Sequence, residues 1–150
     1  AENKIQILWQ TGKPYFEKAK IAAMGSESFI FPHDFIYRMD LAFAAADVVI
    51  SRAGASTISE LCLVAKPSVF VPSPNVSEDH QTKNAMALVN RQAALMVTDA
   101  EARKNLMPVV KSIIENKTLQ ETLTTNISRM ALPGSAEIIA KKVLQLAYGK

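Results

Sequence analysis

Apolar residues along this chain fall into short, β-branched runs separated by longer stretches of helical periodicity. Ile5, Ile7, Leu8 and Trp9, within Lys4 to Gln10, predict a first strand. Thr11-Gly12-Lys13-Pro14 is a turn, with Pro14 suited to the first position of a helix. Tyr15 to Met24 reads as that helix, stopped by Gly25. Ser28 to Phe31 is a short strand and Pro32-His33-Asp34 a loop, and Phe35-Ile36 leads into a short helix near Arg38 to Ala45. Val48, Val49 and Ile50 then form a continuous apolar run into Ser51, as expected of a parallel strand covered on both faces. Strands alternating with helices imply a parallel sheet with right-handed crossovers. Lys66 to Pro72 is a further strand closed by proline, Ser77 to Ala85 opens a helix with Ser77 as its cap, and Ala94 to Thr98 is the last strand.

The carboxyl third reads as helical. Pro108 is barred from a helix interior, so a helix is expected from near Asn105 to about Asn116, with the proline in its first turn. Thr118 and Glu121 have capping-box spacing, and Leu119, Leu123, Ile127 and Met130 mark one face of the helix that follows. Pro133-Gly134 breaks the chain. Ser135 caps a final helix with Ile139, Val143, Leu146 and Ala147 in period, ended by Gly149. There is no internal repeat, low-complexity tract or linker.

The richest stretch is Asp47 to Glu60: a buried strand, a small-residue loop and a helix start. The loop from Arg52 to Ser56 carries a glycine and no bulk, so another group can approach its backbone. First-turn N–H groups lack intrahelical acceptors, and the helix dipole adds positive potential, so such a turn suits an anion, usually a phosphate. Arg52 adds a full positive charge. Neither G-x-G-x-x-G nor G-x-x-x-x-G-K-[ST] is present. Thr57 and Glu60 have capping-box spacing, and that spacing alone favours a cap role for Glu60. The second strand-to-helix turn carries Glu78, Asp79, His80, Gln81 and Asn84. In a parallel sheet both turns lie at the carboxyl ends of the strands, where ligands bind.

Composition narrows the classes. The 150 residues make one domain's worth of chain, 49% hydrophobic and 21% charged, which is the balance of a folded protein. The net charge of +3 is spread out, with few aromatics between the basic residues, and does not suit a nucleic-acid surface. One cysteine leaves no internal disulfide, and one cysteine with two histidines is too few for a structural zinc site. No signal peptide or apolar run of about eighteen residues is present, so cytoplasm is the default. Cys62, Met86 and Leu88 read as packing residues, and His33 beside Asp34 has no evident nucleophile to serve. Arg52 as a surface ion-pair residue, and Gln81 and Asn84 as solvated side chains, are the plain alternatives to a binding role.

The run Ala46 to Leu61, the strand from Lys66-Pro67 to Val71-Pro72, and Asp79-His80-Gln81-Thr82-Lys83-Asn84-Ala85 resemble the carboxyl-terminal half of the family 28 glycosyltransferases. These enzymes move N-acetylglucosamine from UDP to the lipid-linked muramyl-pentapeptide precursor of peptidoglycan. The resemblance runs from about Ile5 to the end, is specific between Phe35 and Asn84, and is only topological after Val97. It implies an α/β fold, the Rossmann-like carboxyl-terminal half of the GT-B architecture with a helical last third, and a single donor-binding domain. It also implies that the first strand of that half and its glycine-rich loop lie before Ile5, leaving a slot between the strands at Ile5 and Val48. We expect the sheet to close that slot or to fill it by self-association, because unpaired edges invite pairing.

By the same resemblance Glu60 binds the ribose hydroxyls and backbone groups of Ile36 read the uracil edge. Arg52, Gly54, Ala55, Ser56 and Thr57 lie beside the diphosphate and sugar, and Gln81 hydrogen-bonds the sugar hydroxyls with Asn84 one turn on. His80 stands where some members carry a second glutamine, and Gln10-Thr11-Gly12 matches a small turn near the same cleft. The implied chemistry is inverting displacement at the anomeric carbon, with no metal and no cofactor. The general base and the lipid-acceptor surface belong to an amino-terminal domain, so this stretch alone is expected to be inactive. The full-length enzyme sits on the inner face of the bacterial membrane. Other readings remain open: the UDP-sugar half of a glycolipid synthase, one chain of a two-subunit N-acetylglucosamine transferase, a UDP-sugar 2-epimerase, or a non-catalytic nucleotide-sugar module.

Overall fold

The computed structural model describes residues 5–74 and 79–149. The expected Ser77 cap and Glu78 lie outside the described residues. The architecture is α/β, with parallel strands alternating with helices and a helical last third. The chain divides into two compact units, Ala1–Ala45 and Ala46–Lys150.

In the first unit, β1 (Ile7–Gln10) pairs in parallel with β2 (Ile30–His33), in register from Ile7 with Ile30 to Gln10 with His33. A 3-10 turn, Lys13–Tyr15, carries Pro14 at its start and runs into α1 (Phe16–Ala23). Gly12 and Gly25 bracket that segment at φ 73° and 78°, where a side chain would be strained. Strand β2 begins later than expected, because the N–H groups of Phe29 and Ile30 both donate to Ser26 O, which folds Ser28 and Phe29 into a turn. Helix α2 spans Met39–Ala45.

In the second unit, β3 (Val49–Ser51), β4 (Ser68–Phe70) and β5 (Leu95–Met96) form a parallel sheet in the order β3-β4-β5. Ser68, Val69 and Phe70 of the central strand are fully buried. The Ser68 hydroxyl donates to Lys66 O at 2.9 Å, which satisfies the one polar group placed there. The helices of this unit are α3 (Ala55–Val64), α4 (His80–Val89), α5 (Asp99–Ile114), α6 (Lys117–Ser128) and α7 (Ser135–Tyr148). The core joins Val69 and Val97 to Val110 and Ile113 of α5 and Leu123 of α6. Each large side chain so buried stabilises the fold by about 1.5–3 kcal/mol. Cys62 and Leu88 are buried as expected, and burial pushes the Cys62 thiol pKa up.

Several local expectations are overturned. The described strands are hydrogen-bonded as two sheets, one in each unit. Helix α5 starts at Asp99, so Pro108 sits inside it. Its start is fixed upstream, where Thr98 precedes the first turn and its hydroxyl donates to Glu101 Oε2 at 2.8 Å. Asn116, not Thr118, caps α6: its side-chain oxygen accepts from Leu119 N at 3.0 Å. Gly134 at φ 74° precedes α7, while the Ser135 hydroxyl turns back to Leu132 O. The periodic apolar residues of α7, among them Ile139, Val143 and Leu146, are exposed. Thr57 and Glu60 form no capping box, because α3 begins two residues before Thr57 with Gly54 at the cap position.

Substitutions at the α6 cap and inside α5 test these assignments. Asn116→Ala leaves the Leu119 N–H without its acceptor and should lower stability by about 1 kcal/mol, read in a denaturant titration; no change would show that water replaces the cap. Pro108→Ala should restore a donor to α5 and raise stability by about 1–3 kcal/mol, read as a higher thermal midpoint; a lower midpoint would mean that the ring itself packs favourably.

Candidate functional site

The second unit gathers its polar groups where β3 hands over to α3. Gly54 takes an extended backbone and its carbonyl accepts from Ile58 N at 3.0 Å. The three N–H groups that follow, at Ala55, Ser56 and Thr57, have no side-chain cap and no acceptor among the described residues. They are the unsatisfied donors that every helix start leaves, with the positive end of the dipole behind them. Among the described residues a Cβ added at Gly54 would meet only Thr57 Oγ1, at 3.8 Å, an ordinary contact. The glycine is not demanded by the fold at this point, and it leaves the backbone approachable.

Glu60 lies on α3, is exposed, and has no hydrogen bond or ion pair among the described residues. With the capping box gone, the carboxylate has no competing task. Arg52 is the opposite case. Its Nη1 lies 3.1 Å from Val71 O, 3.2 Å from Pro72 O and 2.5 Å from Asp99 Oδ1. It is an ion-pair residue, as one reading expected, but one that reaches across the ends of the neighbouring strands.

Gln81 and Asn84 are not simply solvated. Gln81 Oε1 accepts from Ser73 N at 2.9 Å, which holds the segment after β4. Asn84 Nδ2 donates to Ala53 O at 3.2 Å, which holds the loop after β3. Helix α4 therefore laces both loops to itself, and Gln81 is left with its amide N–H₂ as the group to offer a ligand. His80 opens α4 and is exposed.

Ile36 belongs to the first unit. Its N–H, expected to face a base, donates to Gln10 Oε1 at 2.8 Å. Phe35 and Tyr37 flank it as an exposed edge-to-face pair, with centroids 5.1 Å apart. Thr11 Oγ1 lies 3.1 Å from His33 O and binds the turn after β1 to the end of β2. Asp34 Oδ1 accepts from Phe35 N, and so serves the turn rather than His33. Arg38 and Asp40 form a two-point ion pair in which the guanidinium holds the Asp40 carboxyl below its ordinary range.

An open cavity of about 290 Å³ in the second unit lies at the other end of the sheet, between Asp47, Lys66 and Gln120. Asp47 and Lys66 precede β3 and β4 and Gln120 lies on α6, whereas ligands of parallel sheets bind beyond the carboxyl ends. Among the described residues no three His, Cys, Asp or Glu side chains are gathered as a metal site. Asp99 carries no role in the sequence reading, and the Gln10 side chain is there only as part of the Gln10-Thr11-Gly12 turn. The signal for Asp99 was available: Thr98 and Glu101 have the spacing of a helix start, which puts Asp99 at the third strand-to-helix turn.

The model of the glycosyltransferase family 28 C-terminal domain matches residues 1–139. A Bacteroides fragilis protein named UDP-N-acetylglucosamine–N-acetylmuramyl-(pentapeptide) pyrophosphoryl-undecaprenol N-acetylglucosamine transferase is 54% identical over 145 residues, covering 95% of this chain and 38% of the relative. The enzyme of the same name from Flavobacterium psychrophilum is 47% identical over 142 residues, covering 95% of this chain and 38% of its own. The chain thus spans about two-fifths of the length of the curated relatives it matches. Among solved structures, Acinetobacter baumannii MurG superposes with a TM-score of 0.82 at 25% identity, over 97% of this chain and 42% of that one. The glycotransferase of kitacinnamycin shares the fold at a TM-score of 0.61 and 16% identity, over 91% of this chain and 41% of that one. This chain belongs to glycosyltransferase family 28, as the carboxyl-terminal domain of that family.

Proposed function

We propose that this chain is the donor-binding half of an inverting glycosyltransferase that moves N-acetylglucosamine from UDP-N-acetylglucosamine to a lipid-linked muramyl-pentapeptide in peptidoglycan synthesis. The observation that carries the reading is the β3–α3 turn. Among the described residues the amides of Ala55, Ser56 and Thr57 have no partner, a Cβ at Gly54 would meet only Thr57 Oγ1 at 3.8 Å, and the Glu60 carboxylate on the same helix is unengaged. Amides and a helix dipole suit a diphosphate; a carboxylate suits a vicinal diol, which can donate to both of its oxygens. The relatives' names specify UDP-N-acetylglucosamine transferase chemistry, which supplies both groups in one ligand.

In the proposed reaction an acceptor hydroxyl attacks the anomeric carbon as the bond from that carbon to the UDP oxygen breaks. The hydroxyl proton passes to a base, and negative charge gathers on the departing diphosphate. Donors already aimed at that charge lower the barrier, because they need no reorganisation as it develops. The helix-start amides need no metal for this task, and the proposal includes none. The base and the acceptor surface are assigned to the part of the relatives that this chain does not match. Because the acceptor is a membrane lipid, the proposal puts the whole enzyme on the inner face of the bacterial membrane as a peripheral protein. No described helix is long and apolar enough to cross it.

Calorimetric titration with UDP-N-acetylglucosamine and with UDP tests the reading. Both should bind, and Glu60→Ala should weaken both by about ten- to a hundredfold, the loss expected for a charge-assisted pair of hydrogen bonds. Equal affinity in the variant would take the ribose off Glu60, and affinity for a different nucleotide in preference to UDP would contradict the assigned donor.

A further inference from the structure

Arg52 is held more tightly than a cation at the mouth of a site needs to be. Its Nη1 has two protons and faces three acceptors, Val71 O, Pro72 O and Asp99 Oδ1. Its Nε and Nη2 N–H groups donate to nothing among the described residues. One side of the guanidinium is therefore tied down and the other is unspent. The acceptors come from two other places along the sheet edge. Val71 and Pro72 follow β4, Asp99 opens α5 just after β5, and Arg52 itself follows β3. A single side chain thus links the carboxyl ends of all three strands of the second sheet.

Asp99 has a plainer explanation, since an acid in the first turn of a helix suits the dipole. That task is shared, because Glu101 lies in the same turn and is bonded to Thr98. Asp99 instead reaches a partner 47 positions away in the chain. Exposed ion pairs contribute little to stability, so stability does not account for the arrangement. What the contact does is remove freedom from a long side chain before any ligand arrives, and a guanidinium already fixed in place loses less entropy when it binds an anion.

We propose that Asp99 is a positioning residue for the donor site: by taking Nη1 of Arg52 it fixes the guanidinium so that the Nε–Nη2 edge stays open to two oxygens of a nucleoside diphosphate. The inference rests on the nucleotide-sugar reading of the same turn.

A double-mutant cycle read by UDP titration tests it. Asp99→Ala should weaken UDP binding about three- to tenfold, because one charge-assisted contact to Arg52 is lost. Asp99→Glu, which restores a carboxylate, should recover part of the loss. In an Arg52→Gln background Asp99→Ala should change nothing, because Asp99 acts only through Arg52. A residue that merely started α5 would lower affinity in both backgrounds, and that result overturns the inference. So does unchanged or tighter UDP binding in Asp99→Ala, which would make the carboxylate a bystander or a competitor of the phosphate. Failure of the wild-type chain to bind UDP at millimolar concentration would instead bring down the nucleotide-sugar reading, and this inference with it.

Discussion

Parallel pairing of β4 with a neighbour on each side is the constraint from which the site follows. Because β3, β4 and β5 run the same way, each strand-to-helix turn comes out at one edge of the sheet. Ser68, Val69 and Phe70 make that pairing costly to disturb, since every side chain of the central strand is buried. The turns themselves are short and made of small or polar residues, so they would be ill-defined if left alone. They are instead held by side chains: Asn84 to the loop after β3, Gln81 to the segment after β4, and Arg52 across the ends of β4 and α5. The buried strand sets where the groups are, and the surface polar contacts set how they are presented.

The same view separates two kinds of polar residue at this edge. Gln81, Asn84 and Arg52 are already engaged with the backbone or with Asp99, so part of their capacity is spent on holding loops. The amides of Ala55 to Thr57 and the carboxylate of Glu60 are unspent. A ligand that offers anionic oxygens at one end and hydroxyl donors at the other complements that second set. In the first unit the Ile36 N–H is already taken, donating to Gln10 Oε1.

Much of this was legible in the sequence. The β-branched run at Val48 to Ile50 and the Pro67-to-Pro72 strand located β3 and β4, and β4 is buried as expected; β3 is not covered on both faces, because Ile50 is exposed and Val49 and Ser51 are only half-buried. The family pattern around Arg52 to Glu60 located the turn. Failures came where a local rule met a tertiary answer. The proline rule puts the start of α5 near Asn105 with Pro108 in its first turn, yet the packing of Val110 and Ile113 on the sheet and the helix start at Thr98 outweigh one missing hydrogen bond. Thr57 with Glu60 had the spacing of a cap, but Gly54 starts α3 earlier and leaves both in its body. The Arg52–Asp99 pair was invisible because no local rule joins residues that far apart; it needs β5 and α5 in place first.

The central claim is that the carboxyl edge of the β3-β4-β5 sheet is the nucleotide-sugar site. Backbone amide chemical shifts followed during addition of UDP test it residue by residue and detect even weak binding. The account predicts that the largest shifts fall on Gly54 to Thr57. Shifts centred instead on Asp47, Lys66 and Gln120, around the cavity at the opposite edge, would contradict it.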